Sequence, residues 1–69
     1  MGRIKLRIQD LAEAKGWTLE EVADRAGVQR AIVEDYSQNI LRTVDLAMVY
    51  KIARALEATL EDLVEVLEN

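Results

Sequence analysis

The 69-residue sequence predicts an all-α fold of five short helices in a single domain. Three observations carry that expectation. Apolar residues recur at three- and four-residue spacing through most of the chain. Gly16 and Gly27 stand where helices should stop, and Thr18, Asp45 and Thr59 where helices should start. The absence of Pro, with 51% hydrophobic and 32% charged residues, suits a compact helical body rather than a disordered tail.

The first helix is expected from Arg3 to Lys15, with Ile4, Ile8 and Leu11 on one face, and Gly16 ends it. Thr18 and Glu21 have the spacing of a capping box, in which hydroxyl and carboxylate each satisfy a backbone N–H at a helix start. The second helix then runs from Leu19 to Ala26, burying Leu19, Val22, Ala23 and Ala26 and leaving Glu20, Glu21, Asp24 and Arg25 to solvent. Gly27 closes it. A third helix is expected from Gln29 to Tyr36 or slightly beyond, with Ile32, Val33 and Tyr36 inward and Arg30, Ala31, Glu34 and Asp35 outward. Ser37 to Val44 reads as a loop, with Asn39 suited to the left-handed conformation that ends a helix. Ile40 and Leu41 in that loop either tuck beneath it or belong to a subunit contact.

Asp45 should cap a fourth helix, Leu46 to Leu56, which is apolar on nearly every side and therefore central. Thr59 with Asp62 resembles another cap, opening a last helix over 60–69 in which Leu60, Leu63, Val64 and Leu67 form a stripe. With Val66, that stripe exceeds what so small a body needs for its own core. Homodimer formation through Leu60, Leu63, Val64, Val66 and Leu67 is the expectation.

Cys and His are both absent, which excludes disulfides, thiol nucleophiles, imidazole bases and the usual zinc ligands. An enzyme would need paired carboxylates in a pocket that a bundle this small can hardly enclose, so no catalytic activity, cofactor or metal is expected. The acidic spacing Glu57, Glu61, Asp62, Glu65 and Glu68 does not suit a calcium loop and reads as a solvated face. No apolar run reaches the roughly 20 residues of a membrane span, and the N-terminus lacks a secretory signal's apolar core, so a cytoplasmic location is expected. The net charge of −4 weighs against phosphate contact. Its excess lies beyond Val44, where Lys51 and Arg54 face Asp45 and the acidic run, while the preceding part is neutral on balance.

The residues Leu11, Gly16-Trp17-Thr18, Val22-Ala23, Gly27-Val28, Val33, Tyr36, Lys51 to Leu56 and Thr59 to Leu63 together resemble the Cro and lambda-repressor-type helix-turn-helix family, also called the xenobiotic-response-element family. The resemblance covers about Ile8 to Leu63 and implies a compact five-helix domain that binds double-stranded DNA as a symmetric dimer. The third helix would enter the major groove while neighbouring turns touch phosphates. On that pattern Arg30 falls where a base edge is read, guanine being its best match, and Ala31 can touch a thymine methyl. Gln29 can cap the helix, contact a phosphate or read adenine. Asp35 can accept only from cytosine, and Glu34 with Asp35 otherwise repels phosphate. Thr18 opens the second helix beside the duplex, and Gln38, Asn39 and Arg42 lie in the loop that tends to meet phosphates.

The chain departs from the pattern in places. Leu19 replaces a phosphate-holding Gln, and an Arg–Glu pair common in the family is replaced at both ends by Ala12 and Ser37. Losing both together avoids an unpaired buried charge. Arg30 can equally form an exposed intrahelical pair with Glu34, and Arg7 can pair with Asp10 or, with Arg3 and Lys5, form a basic arm. Trp17 and Tyr36 read as core residues, whereas Tyr50 needs a partner or a wet interface. The leading expectation is a small sequence-specific transcriptional regulator acting on a palindromic operator. Its rival is a helix-turn-helix-shaped protein-interaction module, an adaptor or antitoxin-like partner that has lost DNA, favoured by Leu19, Glu34, Asp35 and the negative charge.

Overall fold

A three-stranded antiparallel sheet joins the two ends of a helical body, an element that helical periodicity did not announce. The computed structural model describes residues 3–38, 40, 41 and 43–67. In order these form β1 (Arg3–Leu6), α1 (Ile8–Lys15), α2 (Leu19–Ala26), α3 (Arg30–Gln38), β2 (Ile40–Leu41), α4 (Leu46–Ala55), the single turn α5 (Leu60–Leu63) and β3 (Val64–Leu67). The five helices are present, but the fold is not strictly all-α. The sheet order is β2-β1-β3, with Arg3 opposite Leu67, Leu6 opposite Val64, and Ile4 opposite both Val66 and Leu41.

The expected first helix therefore begins five residues late. Ile4 and Leu6 alternate with Arg3, Lys5 and Arg7, a period of two that places Leu6 in the core while Arg3 and Lys5 face water. Ile40 and Leu41 leave the expected loop to pair with β1, and Leu41 packs against the core. Ser37 and Gln38, also assigned to that loop, are instead the last residues of α3.

The expected helix over 60–69 stops after one turn, and Arg7 supplies the reason. Its Nε and Nη2 donate to the Asp62 carbonyl at 3.0 and 2.8 Å, Nη2 also donates to the Glu61 carbonyl at 3.2 Å, and its backbone N–H takes the Leu63 carbonyl at 2.8 Å. These are the acceptors that the next helical turn would have used. With them occupied, β-branched Val64 and Val66 continue as strand. Of the alternatives open to Arg7, the pair with Asp10 gives way to this arrangement and to a long contact with Glu65 at 4.0 Å.

Inside, Leu6, Ile8, Val22, Val33, Val49, Ile52 and Leu63 are fully buried, so every element except β2 and β3 contributes to one continuous core. Leu63, proposed from sequence for a subunit contact, is spent on this core. Helices α1, α2 and α4 end alike, each with a left-handed residue followed by a residue whose N–H reaches back five positions: Trp17 to Ala12, Val28 to Ala23 and Ala58 to Ala53. Gly16 and Gly27 hold the left-handed position at φ 75° and 68°, and Glu57 holds it at φ 56° after α4. A Cβ at Gly27 would meet nothing, so backbone strain rather than crowding favours glycine there. Among the described residues no helix is long and apolar enough to cross a membrane.

Candidate nucleic-acid interface

Thr18 starts α2 as expected: its hydroxyl accepts from the Glu21 N–H at 3.1 Å and its own N–H donates to the Glu21 carboxylate at 3.1 Å. Removing such a cap costs about 1 kcal/mol. Gly27 then turns the chain and Val28 drops into the core, which fixes α3 across α2. The Gln29 carbonyl accepts from Ile32 and Val33 at 3.0 and 3.2 Å, so Gln29 opens the helix whose first full residue is Arg30. At the far end the Tyr36 hydroxyl accepts from the Asp45 N–H at 3.1 Å, and the Asp45 carboxylate accepts from the Ala47 N–H at 2.9 Å. Tyr36 is thus a core residue whose polar tip fastens α3 to the start of α4.

Helix α3 lays Val33 and Ser37 into the body and leaves Arg30, Ala31, Asp35 and Gln38 exposed, with Gln29 exposed just before them. Glu34 lies at the margin, part-buried. These sequence-predicted residues share one outward surface, with Glu20 of α2 at its edge. Asn39 and Arg42 lie outside the described residues. Ser37, standing where a charged partner was expected, donates to the Glu34 carbonyl at 2.9 Å, and Ala12 is also buried; small side chains occupy both places.

Arg30 is held from two directions. Its Nε donates to the Glu34 carboxylate at 2.9 Å, one helical turn on, and its Nη1 donates to the Glu20 carboxylate at 3.3 Å, across the helix pair. The hydrogen bond and charge of Glu34, then the charge of Glu20, raise the guanidinium pKa further above its ordinary value, so it stays cationic at any working pH. Its side chain is still 59% exposed, so the fork can turn toward a ligand. Local spacing anticipated the Glu34 contact; Glu20, ten residues away and on another helix, carried no such signal. Arg3 and Lys5 lie on β1, while Arg7 is committed to the end of α5, so the three do not act together as the basic arm offered as an alternative.

With this geometry in place, the match to known proteins is direct. The Cro/C1-type HTH DNA-binding domain family model matches residues 7–68, and the chain belongs to that family. The restriction-modification controller protein C.AhdI from Aeromonas hydrophila is similar in structure at a TM-score of 0.72 and 30% identity, over 81% of this chain and 83% of that one. The N-terminal DNA binding domain of SinR from Bacillus subtilis shares the fold at a TM-score of 0.72 and 24% identity, over 80% of each chain. No curated protein sequence matches the chain.

Proposed function

We propose that the chain is a sequence-specific transcriptional regulator that binds a two-fold symmetric DNA site as a homodimer, with α3 in the major groove. The observation that carries this reading is the outward face of α3, which leaves Arg30, Ala31, Asp35 and Gln38 accessible while Val33 and Ser37 pack inward. Arg30 reads guanine, Ala31 meets a thymine methyl, Asp35 accepts from a cytosine amino group, and Gln29 takes adenine or a phosphate. Glu34 orients the Arg30 fork. Thr18 and Gln38 approach phosphates.

The dimer forms through β3 rather than through a terminal helix. One edge of β3 pairs with β1 and its other edge pairs with no strand among the described residues. Val66 on that strand is 61% exposed, with Val64 and Leu67 beside it. A second β3 laid antiparallel continues the sheet and buries Val66 of both copies. Leu60, 39% exposed, flanks this contact.

Few cations face the duplex, so the salt dependence of binding should be shallow for a regulator, because the slope follows the phosphates neutralised. Selection of bound fragments from a random duplex pool tests the reading, alongside sedimentation of the wild type and Val66→Lys. Enrichment of one symmetric motif, with a dimer that Val66→Lys dissociates, is the expected outcome. No enrichment at low salt would transfer the protein to the interaction-module reading, which the two carboxylates holding Arg30 favour.

A further inference from the structure

Away from α3, which contributes no lining residue, an open groove of about 460 Å³ runs between the end of α2 and the second half of α4, lined by Arg25, Ala26, Tyr50, Lys51, Arg54 and Ala55. We infer that this groove is a docking site for an acidic amphipathic segment of a partner protein. Its three cations set it apart in a chain of net charge −4. Among the described residues none of Arg25, Lys51 and Arg54 forms a salt bridge, whereas Arg7, Lys15 and Arg30 all do. Arg25 and Arg54 lie instead over aromatic rings, their guanidinium carbons 4.1 Å from the Trp17 centroid and 5.8 Å from that of Tyr50. Stacking keeps a guanidinium less hydrated than free solution would and leaves its N–H edge available to a carboxylate. Glu57, just beyond the end of α4, is bound to Lys15 at 2.7 Å.

Apolar surface adjoins the charge. Tyr50 is 52% exposed and Leu46, one turn earlier on the same face of α4, is 67% exposed, the two exposed large hydrophobic side chains of that helix. Nucleic acid phosphates would match the cations and leave Leu46 and Tyr50 unserved; a segment carrying Asp or Glu together with Leu-type side chains matches both. Selectivity comes from the rest of the surface, since Glu20, Glu34 and Asp35 on the α3 side repel such a segment and direct it to the groove. Because α3 does not line the groove, occupation here is compatible with α3 engaged elsewhere.

Trp17, the sole tryptophan, reports on the site through Arg25. The test is a titration of the whole chain with a synthetic peptide of about 16 residues bearing Glu on one helical face and Leu on the other, followed by Trp17 fluorescence and calorimetry. Saturable binding is expected, weakened about tenfold or more in Lys51→Glu/Arg54→Glu, with both substitutions at exposed positions and the fold checked by circular dichroism. Arg30→Ala should bind the peptide as the wild type does, which separates this site from the DNA-reading face. A peptide with Leu replaced by Ser should bind several-fold more weakly. Absence of saturable binding, equal binding by the double variant, or a short duplex that competes through Lys51 and Arg54 would overturn the assignment.

Discussion

Where α2 meets α3, Arg30 is gripped by Glu20 and Glu34; where α2 meets α4, Arg25, Lys51 and Arg54 stand without a carboxylate partner among the described residues. The same chain thus restrains its positive charge on one flank of a helix and leaves it available on the other. Under the proposed function, restraint on the α3 side would suit reading rather than gripping: a guanidinium held by two carboxylates meets a phosphate weakly, because any approach must also bring Glu20 and Glu34 toward the same anion. On the proposed reading, a base edge that offers a bidentate match would repay the loss of those contacts, and non-specific duplex would not. The available charge on the α4 side has no such filter, and its discrimination must come from the neighbouring Tyr50 and Leu46.

The sharpest way to break the comparison is at Arg30. Arg30→Ala should weaken binding to the selected site by roughly five- to hundredfold while leaving thermal unfolding nearly unchanged, measured by gel-shift titration and calorimetry. Unchanged affinity would remove Arg30 from the reading surface. A smaller effect, of opposite sign, is expected when the grip is released. Glu20→Gln/Glu34→Gln should raise affinity for random duplex several-fold and steepen its salt dependence, because one cation is freed and two anions are removed. If random and selected duplex gain equally little, the restraint has no part in selectivity.

The smallest effect concerns Glu57, whose contact with Lys15 borders the groove. The hydrogen bond and charge of Lys15, with a lesser contribution from Arg25, lower the Glu57 pKa below its ordinary 4.5. A carboxylate depressed in the folded state adds stability that is fully present above its unfolded value and fades as pH falls through the folded one. A slight loss of thermal stability is therefore expected below about pH 4.5, and Lys15→Met should abolish that step. The largely exposed position of Glu57 keeps it small.

Much of the helical part could be read from residue types, because its signals are local. Thr18–Glu21, Asp45 and Thr59–Asp62 cap their helices within three residues, and Gly16 and Gly27 end theirs within two; α2 has the predicted bounds. The sheet was illegible for the complementary reason. Ile4 fits a helical stripe with Ile8 and a strand face with Leu6 equally well, and only pairing with Val66 and Leu41, distant in sequence, decides between them. Val64 to Leu67 likewise continues a helical stripe until Arg7, 55 residues earlier than Asp62, takes the carbonyls. At the α3 surface the outward residues followed from periodicity, whereas the Glu20 contact and the convergence of Arg25 with Lys51 and Arg54 depend on how helices cross. The left-handed Glu57 was also invisible, since no glycine marks it.

Placing Arg3 across from Leu67 turns the polypeptide into a nearly closed ring. Its first strand pairs with its last, and closing so long a loop is expected to slow folding more than it weakens the finished molecule. A short splice from the end of β3 to the start of β1 would convert the clasp into an ordinary hairpin, allowing new ends to be cut between helices while the surfaces on both flanks of α2 keep their shape.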